Sequence, residues 1–206
     1  MAYSKFKKLE QLKKDFGIHT ENHAFLPLIH PLEVSKRLLA DLEDATLIVL
    51  DNEKVKSEHI VVPVLKEFLR KHTTQISYFS GSDFTVDVKK NLSGFCDFLL
   101  SLEARQLEIT APVFCLVEAK NAEIKRGLAQ CGAEMYAAQL FNEQKGTPKR
   151  QIFGCVTNAF SWCFLKLENK TLYIDPNYVP LTFTKPHEVL AVLQWILDES
   201  LKENHA

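Results

Sequence analysis

Two carboxylates and a lysine interrupt apolar segments in the middle of the chain. Glu118 and Lys120 end the run VFCLVEAK at 113–120, and Asp97 interrupts the run GFCDFLLS at 94–101. Alternate residues of a β-strand point to opposite faces, so we expect Glu118 and Lys120 on the same side of a strand. A carboxylate at the end of a buried strand is unfavourable unless it meets a cation. For Glu118 that cation is either Lys120 or a divalent metal ion.

A third acidic residue lies on a predicted helix that precedes these strands. Glu58 is the one charged member of a stripe over residues 53–71 whose other members are Val55, Val62, Leu65 and Leu69. Each acid alone is explained by a hydrogen bond or a salt bridge. Three carboxylates directed at one region repel one another unless a cation lies among them, and hard oxygen ligands favour Mg²⁺ or Mn²⁺. The pattern therefore predicts a metal site formed by Glu58, Asp97 and Glu118.

The elements that must position these residues follow from hydrophobic periodicity and turn signals. Helices are predicted over 3–15, 32–43, 53–71, 122–143 and 187–201, with a loop over 19–31 and a kink at Pro63. Strands are predicted over 46–50, 75–80, 84–88, 94–102, 112–119, 151–157, 161–168 and 171–175. This order predicts an α/β fold with a mixed sheet and helices on both of its faces.

The same order of elements resembles the PD-(D/E)xK nuclease superfamily over roughly residues 53–168. The likeness lies in a helix with Glu, a strand with Asp, a strand ending in Glu-x-Lys and a helix with Gln. In detail the chain is similar to a group of uncharacterised bacterial proteins, through the phrases SEHIVVPVLKE (57–67), LSGFCDFLLS (92–101), VEAKN (117–121), GLAQCGAEMYAAQLFN (127–142) and CVTNAFSWCFLKL (155–167). One departure is that Phe95-Cys96 stands where the superfamily has its proline before the aspartate.

The resemblance implies a fold and a division of the chain. Residues 51–206 are expected to form a restriction-endonuclease-like domain, a mixed β-sheet core flanked by helices. Residues 1–50 are expected to form an N-terminal helical extension packed on that core.

The resemblance also implies a role for each site residue. Asp97 and Glu118 match the metal-binding carboxylates, Lys120 matches the catalytic lysine, and Glu58 looks like the helix glutamate that helps to bind metal. Gln130 looks like the glutamine of the following helix. The expected activity is Mg²⁺- or Mn²⁺-dependent hydrolysis of phosphodiester bonds in DNA. The alternative is a non-catalytic member of the same fold that binds nucleic acid or a protein partner.

Composition bounds these expectations without deciding between them. The 206 residues carry a net charge of −1, so the chain is not a polycation that coats DNA, although residues 1–14 and 145–150 are locally basic. Those two segments are either phosphate-binding patches or solvated lysines. The five cysteines form no C-x-x-C pair and lie in apolar runs, which favours a reducing cytoplasm over a zinc site. No run reaches the length of a membrane span, and a homodimer is left open.

Overall fold

The computed structural model describes residues 3–28, 30 and 32–202, so predictions for residues 1, 2, 29, 31 and 203–206 fall outside the described residues. It confirms the predicted α/β class, with one mixed eight-stranded sheet. The strands are β1 (His19–Asn22), β2 (Ser77–Asp83), β3 (Phe95–Ser101), β4 (Val113–Ala119), β5 (Gln151–Thr157), β6 (Ser161–Glu168), β7 (Thr171–Ile174) and β8 (Val179–Pro180). Their order is β1-β7-β6-β5-β4-β3-β2, and β8 pairs with β6. The β1–β7 and β4–β5 pairs are parallel, and the remaining pairs are antiparallel.

Helices cover both faces of this sheet, as its apolar strands require. They are α1 (Leu9–Phe16), α2 (Lys36–Asp44), α3 (Glu53–Lys56), α4 (Val62–Lys71), α5 (Leu128–Gln144) and α6 (His187–Lys202). α1 and α5 share one buried cluster with alternate residues of the strands, such as Leu116 of β4. α2, α4 and α6 share a second cluster that contains the neighbouring Val117. Successive residues of β4 therefore enter opposite cores.

The predicted helix over 53–71 is present, and its predicted kink takes the form of a π-helical turn. Residues Ser57–Val61 form that turn between α3 and α4, directly before Pro63. Proline has no amide hydrogen, and its ring clashes with the carbonyl four residues earlier. The wider π-helical turn accommodates both effects without ending the helix.

A glycine of β5 allows α5 to lie close to the sheet. Gly154 of β5 lies under the helix, where a β-carbon would stand 2.5 Å from Met135 Sδ and 2.9 Å from Cys131 Sγ. Such distances are shorter than van der Waals contact, so a side chain at residue 154 would push α5 outward. Close packing here fixes the height of α5 above the strands that carry the acids.

Two predicted strands are wrong, and two short strands, β1 and β8, were missed. Residues 46–50 contain the end of a 3₁₀ turn, and Leu47 and Val49 are 83% and 79% exposed because no strand lies beside them. Residues 84–88 close a hairpin, in which the amides of Val86 and Asp87 both donate to Leu92 O at 3.0 Å. The predicted loop at 19–31 begins with β1, whose four exposed residues lack the apolar alternation of a half-buried strand.

The N-terminal segment contributes to the common core. Tyr3, Phe6, Leu12 and Ile18 lie in the cluster of α5, and Leu38 and Leu42 lie in the cluster of α4 and α6. These residues of the N-terminal segment thus pack on the core. A separate extension that ends at residue 50 stays a prediction. Among the described helices, none combines the length and the apolar character that a membrane span needs.

Candidate active site

Asp97 and Glu118 lie beside each other where β3 and β4 separate. Backbone pairing of these strands reaches Phe98 and Val117, and the next pair in that register is Asp97 opposite Glu118. There the Asp97 carboxylate replaces a backbone acceptor, because its Oδ2 accepts the Ala119 amide at 2.8 Å. We call this end of the sheet, where β3 begins and β4 and β5 end, the acidic end. The two acids predicted to act together are thus brought together.

Glu118 and Lys120 form an ion pair at the acidic end. Lys120 Nζ donates to Glu118 Oε1, and only 1% of the Glu118 side chain is exposed. Glu118 Oε2 has no hydrogen-bond partner among the described residues. The stem of Lys120 passes over Gly127, where a β-carbon would stand 3.2 Å from Lys120 Cγ. The glycine before α5 therefore leaves room for the lysine.

Burial and like charge disturb the titration of these three groups. Burial raises the pKa of Glu118, and the negative charge of Asp97 raises it further, against the opposing effect of Lys120. Burial also raises the pKa of Asp97, although the Ala119 amide and Lys120 favour its ionised form. For Lys120, burial acts to lower the pKa, but the charges of Glu118, Glu53 and Asp97 together raise it. Lys120 therefore stays positively charged, and its charge offsets only part of the negative charge of the two acids.

α5 adds an amide and a fourth carboxylate behind the ion pair. Gln130 is partly buried, and its Nε2 donates to Glu134 Oε1 at 3.1 Å. Glu134 is fully buried, and no described residue bonds its Oε2. Burial raises the pKa of Glu134 well above its usual value, and the charge of Glu118 adds to the shift. In the sequence, its spacing of four from Gln130 places both residues on one helix face and leaves open whether Glu134 lies at the site or on the surface.

Glu53 is a residue of this region that sequence reasoning missed. It lines a pocket of about 380 Å³ together with Glu58 and Asp97. It also lines a pocket of about 310 Å³ together with Lys120 and Asn121. Its charge contributes to the raised pKa values of Glu118 and Lys120. The available signal was Asn52, whose side chain caps α3 by accepting the Val55 amide at 3.0 Å and so puts Glu53 in the first turn.

The predicted helix ligand, Glu58, lies farther from the ion pair. It belongs to the π-helical turn, and its side chain is 55% exposed and 3.9 Å from Lys54 Nζ. It shares the wall of the larger pocket with Asp97. Its role as a metal ligand stays a prediction, and Glu53 is the acidic helix residue whose charge acts on Glu118.

The chemistry of these groups fits a hard divalent cation. Within residues 3–28, 30 and 32–202, no three acidic, histidine or cysteine side chains form a ready ligand group, since Lys120 holds one Glu118 oxygen and the Ala119 amide holds one Asp97 oxygen. However, the unpartnered Glu118 Oε2 and the raised pKa values of both acids are the features of a site that lacks positive charge. Oxygen donors of this kind suit Mg²⁺ or Mn²⁺. Asp97 and Glu118 are the residues that would hold it.

The loop after β4 is held in place on both sides. Lys56 Nζ donates to Asn121 O at 2.6 Å and to Asn121 Oδ1 at 3.0 Å. From the other side, Asn158 Nδ2 donates to Ala122 O at 3.2 Å. Because Lys120 begins this loop, these bonds restrict the path of its backbone.

Two cations of the basic segment 145–150 have partners within the protein. Lys149 is buried and donates to Ser200 O at 2.7 Å, and Arg150 Nε lies 2.6 Å from Glu168 Oε1. The lysines of α1 and of the turn before it are exposed, and α1 packs on α5. A phosphate-binding role for these lysines stays a prediction.

Comparison of the chain with protein-family models and with curated proteins gave no match.

Proposed function

We propose that this protein is a metal-dependent nuclease that hydrolyses phosphodiester bonds in DNA, with a restriction-endonuclease-like domain over residues 51–206. The observation that carries the proposal is the separation of β3 from β4, which places two carboxylates and one amine at a single point. That combination is the one used to hydrolyse phosphodiesters with a divalent ion. The resemblance over residues 53–168 supports the same activity.

The roles of the chain's own residues follow from their contacts. Asp97 and Glu118 would hold an Mg²⁺ or Mn²⁺ ion, which would supply polarisation of a phosphate oxygen and a lowered pKa of a water molecule. Lys120 carries a positive charge on a restricted stem and offsets the charge that develops on the phosphate. Gln130 Nε2 donates a hydrogen bond to Glu134, so the carbonyl oxygen of Gln130 is the group that orients a water molecule.

Electrostatics explains why these acids require a cation before they can meet a polyanion. The charges of Asp97 and Glu53 raise the pKa of Glu118, and the charges of Glu118 and Asp97 raise the pKa of Glu134, while Lys120 is the cation paired with Glu118. A phosphate group would be repelled by this arrangement. Binding of a divalent ion converts the acidic end from a repulsive into an attractive surface for a nucleic acid.

One observation favours the non-catalytic alternative. The Lys120 ammonium already satisfies one oxygen of Glu118, as in a structural ion pair. A protein that keeps this pair intact would bind nucleic acid or a protein partner without cleaving anything. The two functions differ in what happens when Lys120 is removed.

The deciding experiment compares two lysines that occupy similar settings. Lys166 is a matched control, because it too pairs with a glutamate two residues away in a strand, Lys166 Nζ lying 3.2 Å from Glu168. Cleavage of plasmid DNA, oligonucleotides and RNA is measured with Mg²⁺ or Mn²⁺. We expect Lys120→Ala to lose about 100-fold or more of the rate, the scale of one transition-state contact, and Lys166→Ala to retain it.

Two outcomes contradict the proposal. Cleavage that survives Lys120→Ala at the wild-type rate would show that another protein or another site is responsible. A wild-type protein that binds nucleic acid but cleaves neither DNA nor RNA with either metal would favour the non-catalytic alternative.

A further inference from the structure

Two exposed phenylalanines lie at the acidic end, on strands to either side of β4. Phe95 begins β3, two residues before Asp97, and is 52% exposed. Phe160 lies in the turn between β5 and β6 and is 40% exposed. β5 runs parallel to β4 up to the Ala119–Thr157 pair, so this turn leaves the sheet at the same end. Large exposed aromatic rings beside an active site require an explanation, because the core does not use them.

The turn that presents Phe160 is rigid. Asn158 Oδ1 accepts the amides of Phe160 and Ser161 at 3.2 and 2.9 Å, and Phe160 O accepts the Leu181 amide at 2.8 Å. The Phe160 ring meets the Phe183 ring edge-on, with centroids 5.8 Å apart. Ala159 has a φ of 79°, an unfavourable conformation for a residue with a β-carbon that persists where contacts enforce it. A ring held in this way is preorganised to receive a ligand.

Phe95 is also on a fixed support. Its backbone pairs with Asp83 in the β2–β3 ladder, and the preceding Gly94 accepts the Phe84 amide at 2.7 Å. The hairpin that leads into it carries Lys89 and Lys90, both exposed. Aromatic and basic side chains therefore occur together on this side of the acids.

Basic side chains also accompany the acids on the other side. Lys125 and Arg126 are exposed in the 3₁₀ turn before α5. Arg126 Nε lies 2.6 Å from Glu123 Oε2, and Arg126 lines the pocket that contains Lys120. Exposed rings combined with cations are the features by which proteins bind single-stranded nucleic acid, because unpaired bases offer a face for stacking and the backbone offers charge. In a duplex those faces are occupied by neighbouring bases. An apolar protein partner would not require the cations.

We propose that a nucleic acid crosses the acidic end as a single strand, with unpaired bases stacked on Phe95 and Phe160. This inference rests on the proposed nuclease function and names its substrate class. β3 and β5 are separated by β4, which puts the two supporting strands about 10 Å apart. That separation exceeds the ~3.4 Å spacing of stacked bases, so the two rings receive different bases of one strand.

The test is a binding measurement in EDTA, where no cleavage occurs. Fluorescence anisotropy is recorded with a labelled oligodeoxythymidylate and with a blunt duplex of the same length. We expect tighter binding of the single strand, and a loss of about 5- to 150-fold in affinity for Phe95→Ala and for Phe160→Ala. Phe95→Trp keeps the affinity, whereas Phe95→Leu loses it, because leucine keeps apolar area but not an aromatic face. Thermal unfolding confirms that each variant is folded.

Leu107→Ala is the matched control for loss of an exposed apolar side chain. Leu107 is 99% exposed in the connection between β3 and β4, at the opposite end of the sheet, and its removal leaves the affinity unchanged. Equal binding of duplex and single strand, or unchanged affinity in both alanine variants, overturns the inference. If the wild type cleaves nucleic acid but the phenylalanine variants bind the single strand with unchanged affinity, only this inference is wrong. If binding depends on the phenylalanines but the wild type cleaves nothing, only the nuclease function is wrong.

Discussion

Asp175 and Glu118 are equally buried, each 1% exposed, but the groups around them differ. Asp175 Oδ2 accepts the amides of Phe25 and Leu26 at 2.9 and 3.1 Å, and its Oδ1 accepts the Asn177 amide at 2.9 Å. Both of its oxygens are satisfied by backbone. Glu118 has the Lys120 ammonium on one oxygen and no described partner on the other.

The same contrast separates a second pair of buried acids. Glu67 accepts bonds from the Ser35 amide, the Ser35 hydroxyl and Arg70, at 3.0, 2.8 and 2.6 Å. Burial acts to raise the pKa of Glu67, but these donors lower it overall. Glu134 has one amide donor, and its pKa is raised. Buried acids with full sets of donors hold loops and helices together, whereas buried acids that lack donors retain the capacity to bind something else.

The largest effect on stability should come from a buried acid whose oxygens all accept hydrogen bonds. Asp175→Asn replaces one acceptor oxygen with an NH₂ group, which leaves at least one backbone amide facing a donor. We expect a loss of about 1–3 kcal/mol in the free energy of unfolding, the usual penalty for an unsatisfied buried group. Urea unfolding measures it, and an unchanged midpoint would show that Asp175 is not holding the segment at 25–26.

Much of the fold could be predicted because its elements are strongly patterned. The helix predicted over 3–15 ends at Phe16 as α1, with the next residue, Gly17, at a φ of 70°, and the apolar runs of β4 to β7 became strands. The failures were segments whose structure depends on neighbours. β1 is a polar strand that exists because β7 lies beside it, and residues 46–50 are apolar but have no strand to pair with.

The acids of the strands were easier to predict than the acids of the helices. The period of two places Glu118 and Lys120 on one face, and the antiparallel order of β3 and β4 brings Asp97 beside them. On the helix, the π-helical turn at Ser57–Val61 rotates the preceding residues relative to those that follow. A stripe drawn with the regular 3.6-residue period therefore includes Glu58 and not Glu53. α5 is buried on nearly all sides, so its pattern did not mark Glu134 as inward-facing.

A substitution of a buried acid that lacks donors should instead raise the free energy of unfolding. Glu134→Gln removes a buried charge that repels Glu118 and keeps the bond to Gln130 through the remaining carbonyl oxygen. We expect a gain of about 1–2 kcal/mol near neutral pH, since neutral replacements of buried charges are often stabilising. Because the folded-state pKa of Glu134 is raised, wild-type stability falls as pH rises above 4.5, the ordinary value for this group. The gain should therefore be largest at alkaline pH and disappear below that value.

Glu67→Gln is the control for this experiment, because Glu67 is a buried glutamate with a lowered pKa. Its contribution is present above the unfolded-state pKa and is lost as pH falls through the folded-state pKa. We therefore expect Glu67→Gln to destabilise the protein at neutral pH and to lose its effect in acid. Loss of stability in both variants, with the same pH dependence, would remove the distinction between the two classes.

The smallest effect should be the response of the acidic end to divalent ions. A cation that binds only the folded state stabilises it by about 1.4 kcal/mol at ten times its dissociation constant, which raises the melting temperature by about 3–6 °C in a protein of this size. The gain is limited because Lys120 holds one oxygen of Glu118 and must release it. Asp97→Asn should abolish the shift while raising the stability of the metal-free protein, because it relieves repulsion of Glu118. Asp87→Asn, at a hairpin cap, should leave the shift unchanged. If Mn²⁺ does not change the melting temperature, or changes it equally in wild type and Asp97→Asn, these acids do not bind a metal ion. Lys120 is then only their structural ion-pair partner.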